Sequence, residues 1–100
     1  MSIYDPLYKW LAKKAASGVP NISVTFDEIE TVLGFALPKS ATKRPQWWAN
    51  EAKNTRHAQC QAWEAAGYVT RKVDLSKKCV EFVRDDIKIT FSYVYDIQKG

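Results

Sequence analysis

The chain has 100 residues, of which 46% are hydrophobic and 13% aromatic, and its formal net charge is +4. This length predicts a single domain whose core needs neither a metal nor a disulfide bond. No apolar run approaches the roughly 20 residues of a membrane-spanning helix, and the N-terminus lacks the pattern of a secretory signal. With only two cysteines, the sequence predicts a cytoplasmic protein with reduced thiols and no membrane contact.

The positive charge is concentrated in the middle of the chain. Between Lys39 and Lys78 there are nine basic residues and three acidic ones, whereas the rest of the chain has six basic and eight acidic residues. A basic segment between weakly acidic ends is typical of a surface that binds a polyanion. The alternative interpretation is a solvated surface with unevenly distributed charge.

The N-terminal third predicts two helices with a short strand between them. Asp5 is a candidate N-cap for the first helix, with a proline in the first helical position. The alternating residues 21–26 predict a strand. Thr25 and Glu28 have the spacing of a capping box for the second helix, and Gly34 ends that helix as its C′ residue.

The next segment places two adjacent tryptophans among basic and amide side chains. A third helix begins either with Ser40 as its cap or with Pro45 in its first turn. Neighbouring residues on a helix point about 100° apart, so one of Trp47 and Trp48 is expected in the core and the other at its edge. We expect one core to contain Trp10, Ile29, Val32, Leu33, Trp63, Phe82 and at least one of Trp47 and Trp48.

The C-terminal part predicts one more helix and then β-structure. Residues 56–67 form the helix, which Gly67 ends, and residues 68–75 and 78–84 form a hairpin. Strict alternation over residues 87–96 predicts an additional antiparallel strand. The order favours an α+β fold, a small winged helix-turn-helix-like domain with a core at 1–84 and a strand extension at 85–100.

Several stretches of the sequence match a known pattern. These are YDPLYKWL, TFDEIETVLGFALPKSA, WWAN and QAWEAAGY, followed by strands that contain VDL and VEF. Over about residues 3–84 the chain resembles a widespread family of small uncharacterised bacterial domains with the pattern YDPLY, FxxIExxLGxxLPxSA, WWxN and AWxxAG. The resemblance implies a compact, DNA-binding-like helical domain with a hairpin, and no established activity. Pro45 and the strand from Ile87 onward depart from the family pattern.

The sequence offers little for catalysis or cofactor binding. His57 and Cys60 are spaced to face each other on a helix, but no orienting group or oxyanion loop accompanies them. Together with Cys79 they make a weak zinc set, and Asp85–Asp86 is better explained as a turn than as a metal site. No glycine-rich phosphate loop is present. We therefore predict a non-enzymatic protein without a cofactor or metal.

DNA binding is the leading functional hypothesis. Lysine and arginine neutralise phosphates, and arginine, asparagine and glutamine read base edges. A helix beginning near Pro45 would place Gln46 and Asn50 on one outward face, and Lys77–Lys78 would lie where a wing meets the DNA backbone. The candidate residues for double-stranded DNA are Lys43, Arg44, Gln46, Asn50, Lys53, Asn54, Arg56, Lys77 and Lys78.

The alternative hypothesis is a protein–protein interaction module or a small phage- or defence-associated inhibitor. In that case the aromatic strand around Tyr93–Tyr95 would bind a protein partner or form a homodimer. The orientation of the basic residues distinguishes the two hypotheses, because a common face favours DNA.

Overall fold

The structure is a computed structural model that describes residues 2–50 and 58–85. Within these ranges the fold is α+β, as predicted. The elements are α1 (Asp5–Ala16), β1 (Asn21–Thr25), α2 (Phe26–Leu33), α3 (Lys39–Lys43), a 3-10 helix here called the Trp turn (Pro45–Trp48), α4 (Ala58–Ala65), β2 (Tyr68–Asp74) and β3 (Cys79–Arg84).

The three strands form one antiparallel sheet in the order β1-β3-β2. The predicted hairpin is confirmed, since β2 pairs with β3. The sheet also includes the early strand, because Ile22 of β1 lies opposite Phe82 of β3. β3 is therefore the central strand of the described sheet, and β1 and β2 flank it. Ile22, Val24, Val80 and Phe82 are buried, so alternate residues of these strands line one core face.

The first helix begins one residue earlier than the sequence predicted. Tyr4 occupies the N-cap position without a side-chain cap, and Asp5 is the first helical residue, so the prediction of Asp5 as N-cap was wrong. The Tyr4 side chain is buried and packs against the rings of Phe35 and Trp47, with centroid distances of 6.0 and 5.9 Å. Packing of Tyr4 in the core therefore positions the start of α1.

The capping box of α2 is confirmed. The Glu28 backbone N–H donates to Thr25 Oγ1 at 3.1 Å, and the Thr25 N–H donates to Glu28 Oε1 at 3.1 Å. Gly34 ends the helix in the left-handed conformation with φ of 83°, which a residue without a Cβ adopts at little cost. Local sequence chemistry thus determines both ends of α2.

The third helix is interrupted at Arg44. Ser40 lies inside α3, which follows Pro38, and Pro45 opens the separate Trp turn. A proline disfavours helical geometry in the residue before it, and Arg44 is accordingly extended, with φ of −127° and ψ of 118°. The prediction of Ser40 as cap was therefore wrong, since Pro38 holds the N-cap position of α3, whereas Pro45 does open a helix, the separate Trp turn.

The Trp turn is too short to produce the predicted polar face. It ends at Trp48, and Ala49 is extended, with φ of −66° and ψ of 145°. Asn50 consequently lies beyond the helix that contains Gln46. The prediction that Gln46 and Asn50 share a helical face was wrong, because it assumed one continuous helix after Pro45.

The core is built around stacked aromatic rings. Trp48 and Trp63 are 1% and 0% exposed, and their rings stack at 6.0 Å with an interplanar angle of 14°. Phe26 stacks on the other side of Trp48 at 5.0 Å. Trp47 is half-buried at the margin, which confirms that only one of the adjacent tryptophans is fully buried.

Most of the predicted core residues are buried. Ile29, Leu33 and Phe82 belong to the core with the two stacked tryptophans. Trp10, by contrast, only packs against the core from its margin, and Val32 is also half-buried. The sequence thus identified most of the core residues but not the depth to which each side chain is buried.

Some predictions fall on residues that the structure does not describe. The strand predicted at 87–96 and the start of the helix predicted at 56 lie outside residues 2–50 and 58–85. In the described ranges, every helix is too short or too polar to cross a lipid bilayer.

Candidate nucleic-acid interface

The turn between β2 and β3 presents two exposed lysines on a defined backbone. Asp74 accepts hydrogen bonds from the Lys77 backbone N–H at 3.0 Å and from the Ser76 hydroxyl at 2.9 Å. These two donors, the Lys77 N–H first, lower the pKa of the Asp74 carboxyl. Lys78 adopts a positive φ of 55°. The carboxylate thus shapes the turn that carries Lys77 and Lys78, both of which are exposed.

A series of contacts connects this turn to α3. The Lys78 carbonyl accepts a hydrogen bond from the Phe26 N–H at 2.8 Å, and the Phe26 ring stacks on Trp48. The Trp48 indole Nε1 in turn donates to the Ala41 carbonyl in α3 at 2.8 Å. The hairpin turn, the start of α2 and α3 are therefore joined through two aromatic side chains.

The polar side chains around this junction include charges of both signs. Lys43, Arg44 and Gln46 are exposed on α3 and the Trp turn. Asp27 and Glu28 are exposed in the first turn of α2, which begins beside Lys78. A polyanion at this junction would meet two exposed carboxylates as well as the basic side chains.

Asn50 has a structural role that differs from its predicted one. Its Nδ2 donates to the Thr70 carbonyl at 2.9 Å, and its Oδ1 accepts from the Thr70 N–H at 2.9 Å. Oδ1 also accepts from the Trp63 indole Nε1 at 3.0 Å. The residue is exposed overall, but its amide is hydrogen-bonded to the protein itself, so we leave it out of the proposed DNA-contacting set.

The remaining predicted contact residues lie outside the described ranges. Lys53, Asn54 and Arg56 belong to residues 51–57. Their positions relative to the hairpin turn stay a prediction.

Two residues that shape the surface were missed in the candidate set. Arg71 and Lys72 of β2 are exposed, and Lys72 adopts a positive φ of 51° at the register shift between Arg71 and Asp74. Both residues were counted among the basic residues of the middle segment. They were left out of the candidate set because a regular strand was predicted here. Asp74 was also missed, although an aspartate two or three residues before Ser and Lys is a recognisable turn signal.

The described residues contain little that resembles a catalytic centre. Cys60 is buried, and its Sγ donates to Glu64 Oε1 at 2.9 Å, while His57 lies outside the described ranges. Among the described side chains, no group of three or more His, Cys, Asp and Glu residues could hold a metal ion.

A groove of about 250 Å³ lies between α1 and α4, lined by Ser2, Asp5, Tyr8, Ala58, Gln61, Ala62 and Ala65.

Comparison with known proteins places the chain in a family. The family model described as "domain of unknown function" (DUF7662) matches residues 4–85. The chain belongs to this family. The match covers every described helix and strand, and it ends at Asp85, where the predicted strand extension begins. Neither the curated proteins nor the solved structures contain a significant match.

Proposed function

We propose that this member of the family is a non-enzymatic protein that binds double-stranded DNA. The proposed contacts are Lys43, Arg44 and Gln46 on α3 and the Trp turn, and Lys77 and Lys78 on the hairpin turn. The contact series from Lys78 through Phe26 and Trp48 to Ala41 supports the proposal, because it holds the two exposed basic segments on one packed framework.

We infer that the form is winged-helix-like, with the hairpin turn as the wing. Support comes from the element order, in which a strand precedes the second helix and a hairpin follows the last one. The pairing of β1 with β3 places the start of α2 directly beside the wing. A cytoplasmic location is part of the same proposal, in keeping with the free cysteines.

The chemistry expected at this surface is phosphate neutralisation. Ammonium and guanidinium groups release condensed counterions from DNA, so affinity should fall steeply as salt rises. Among the proposed contacts, Gln46 carries the amide available for a base edge. Asp27 and Glu28 would repel phosphates close to the α2 start, so we expect the duplex to contact the wing and α3 and to avoid the α2 start.

A mobility-shift assay with a random duplex at about 50 and 200 mM salt tests the proposal. The double variant Lys77→Ala/Lys78→Ala should weaken binding to all sequences alike and reduce the slope of log affinity against log salt by about 2. The matched control is Lys9→Ala/Lys13→Ala, which removes two exposed lysines from α1 and should leave the slope near that of the wild type.

Two outcomes would overturn the proposal. One is the absence of any complex at the lower salt concentration. The other is an equal loss of affinity in the two double variants, which would indicate a general charge effect instead of a surface centred on the wing.

The alternative of a protein–protein interaction module rests on a different part of the chain. Its aromatic residues Tyr93–Tyr95 lie outside the described ranges. The observation that favours it is the exposed outer edge of β1. A phage or defence association stays a prediction.

A further inference from the structure

The outer edge of β1 carries backbone groups that β3 does not use. The Arg84 N–H donates to the Pro20 carbonyl and the Phe26 N–H donates to the Lys78 carbonyl, both at 2.8 Å. In an antiparallel pair, directly opposed residues alternate between bonding each other and pointing their backbone groups outward. Pro20 and Phe26 are both positions that bond β3. Asn21, Ser23 and Thr25 are the alternate positions between them and therefore direct their N–H and C=O groups away from β3.

These outward groups are accessible. Asn21, Ser23 and Thr25 are all exposed, and in the described part of the chain β3 is the strand paired with β1. The Thr25 N–H is occupied by Glu28 Oε1. The β1 edge, meaning the outward backbone of Asn21–Thr25, thus offers the N–H groups of Asn21 and Ser23 together with the neighbouring carbonyls.

The other edge of the sheet is closed. At Thr70 the outward N–H and C=O of β2 are both bonded by the Asn50 amide, which imitates the pairing of a neighbouring strand. Beyond it the register shifts between Arg71 and Asp74, and irregularities of this kind bend an edge strand away from new partners. An added strand therefore has access to the β1 edge and not to the β2 edge.

The predicted C-terminal strand cannot pair with β3, because β1 and β2 lie on both sides of it. The chain leaves β3 at the end of the sheet where β1 begins, since Arg84 bonds to Pro20. A strand that returned directly along the β1 edge of its own molecule would run parallel to β1. The sequence predicts an antiparallel strand, and parallel pairing is less stable per residue.

We propose that the β1 edge of one molecule binds residues 87–95 of a second copy as an antiparallel strand. Main-chain hydrogen bonds to Asn21 and Ser23 supply part of the affinity, as in other cases of strand addition. Alternation in the added strand determines its register. Its apolar side chains, Ile87, Ile89, Phe91, Tyr93 and Tyr95, continue the core face that Ile22 and Val24 line.

Light scattering on the full chain, with proline at one edge position, tests this surface. The wild type should show about twice the monomer mass of 11.4 kDa, and Ser23→Pro should return it to the monomer. The Ser23 N–H points away from β3, so proline removes no hydrogen bond between β1 and β3, the setting in which edge strands tolerate it. Ser23→Ala keeps the N–H and should remain a dimer.

Amide hydrogen exchange provides a second measurement that does not depend on a variant folding. The Asn21 and Ser23 amides of the wild type should exchange slowly in concentrated solution and faster on dilution below the dissociation constant. Three results would overturn the proposal. They are a monomer in which both amides exchange fast, a monomer in which both stay protected at every concentration, and a dimer that Ser23→Pro leaves intact. The second result would instead show pairing within one molecule.

Discussion

The two edges of the sheet differ in how they are protected from further strand pairing. At the β2 edge, the Asn50 amide bonds both backbone groups of Thr70, and the Thr70 hydroxyl donates to the Trp48 carbonyl at 2.5 Å. At the β1 edge, the Thr25 N–H is occupied by the capping carboxylate of Glu28, and among the described residues the outward N–H groups of Asn21 and Ser23 have no such partner. The Asn50 side chain, 20 residues before Thr70 in the sequence, closes the β2 edge. The β1 edge is limited mainly by the length of the strand, which has five residues.

This difference gives a physical meaning to the WWAN stretch. Trp48 is stacked in the core, and Asn50, two residues later, bonds β2 and the Trp63 indole. The tryptophan and the asparagine together attach the segment after α3 to the sheet and to α4. An asparagine in a basic segment therefore serves the fold, where its sequence context suggested base recognition.

Removal of the Trp63 indole, which donates a hydrogen bond to Asn50, should reduce stability the most. Trp63→Ala removes a fully buried ring and the donor to Asn50, and should lower the free energy of unfolding by about 3–5 kcal/mol. Trp10→Ala is the control, because Trp10 lies at the core margin and its truncation should cost clearly less. Denaturant unfolding measures both. Equal losses would show that the stacked arrangement is not the stabilising centre.

Asn50→Ala removes the side chain that closes the β2 edge. It leaves the Thr70 backbone groups and the Trp63 Nε1 without their partner, and should cost about 1–3 kcal/mol. Ser23→Ala, at the β1 edge, should stay within about 0.5 kcal/mol of the wild type, as exposed substitutions usually do. The two free energies of unfolding, measured under the same conditions, check the prediction.

Asn50→Asp separates the contribution of the Nδ2 donor from that of the accepting oxygen. It keeps an oxygen for Thr70 and Trp63 but removes the Nδ2 donor to the Thr70 carbonyl, so its loss should lie between the wild type and Asn50→Ala. In a binding-site selection, Asn50→Ala should keep the wild-type base preference. A changed preference with unaltered stability would return Asn50 to the DNA-contacting set.

Glu28→Ala should lengthen the open β1 edge by one group. It removes the carboxylate that occupies the Thr25 N–H, and losing half of the capping box should cost about 1 kcal/mol. Glu28→Gln retains an accepting oxygen and should lose less. Thermal unfolding measures the cost. If the alanine variant unfolds like the wild type, the capping box does not contribute to stability in solution.

The smallest expected effect concerns pH at the hairpin turn. The backbone N–H of Lys77 and the Ser76 hydroxyl lower the folded-state pKa of Asp74. The associated stability is present at neutral pH and is lost as pH falls through the usual aspartate range toward the lowered folded pKa. An NMR titration of the Asp74 carboxyl should give a midpoint below that of an unstructured aspartate. Asp74→Asn should lack the corresponding acid-dependent loss of stability.

Features that depend on neighbouring residues could be predicted from the sequence. The capping box at Thr25, the helix end at Gly34 and the hairpin were predicted from local patterns and are confirmed. The same holds for the α+β class and for a single fully buried tryptophan in the adjacent pair. The capping box and the glycine at the helix end each involve groups within a few residues of one another, so spacing is sufficient to define their geometry.

Contacts between residues that are distant in the chain, by contrast, follow from the tertiary structure. The spacing of Gln46 and Asn50 suggested one helical face, but the helix ends at Trp48, and Asn50 instead finds Thr70 across 20 residues of chain. The position of β3 between β1 and β2 likewise follows from long-range pairing. That pairing determines which backbone groups remain outside the sheet. The spacing of residues along the chain cannot predict these contacts. They depend on which buried polar groups would lack a hydrogen-bond partner without them.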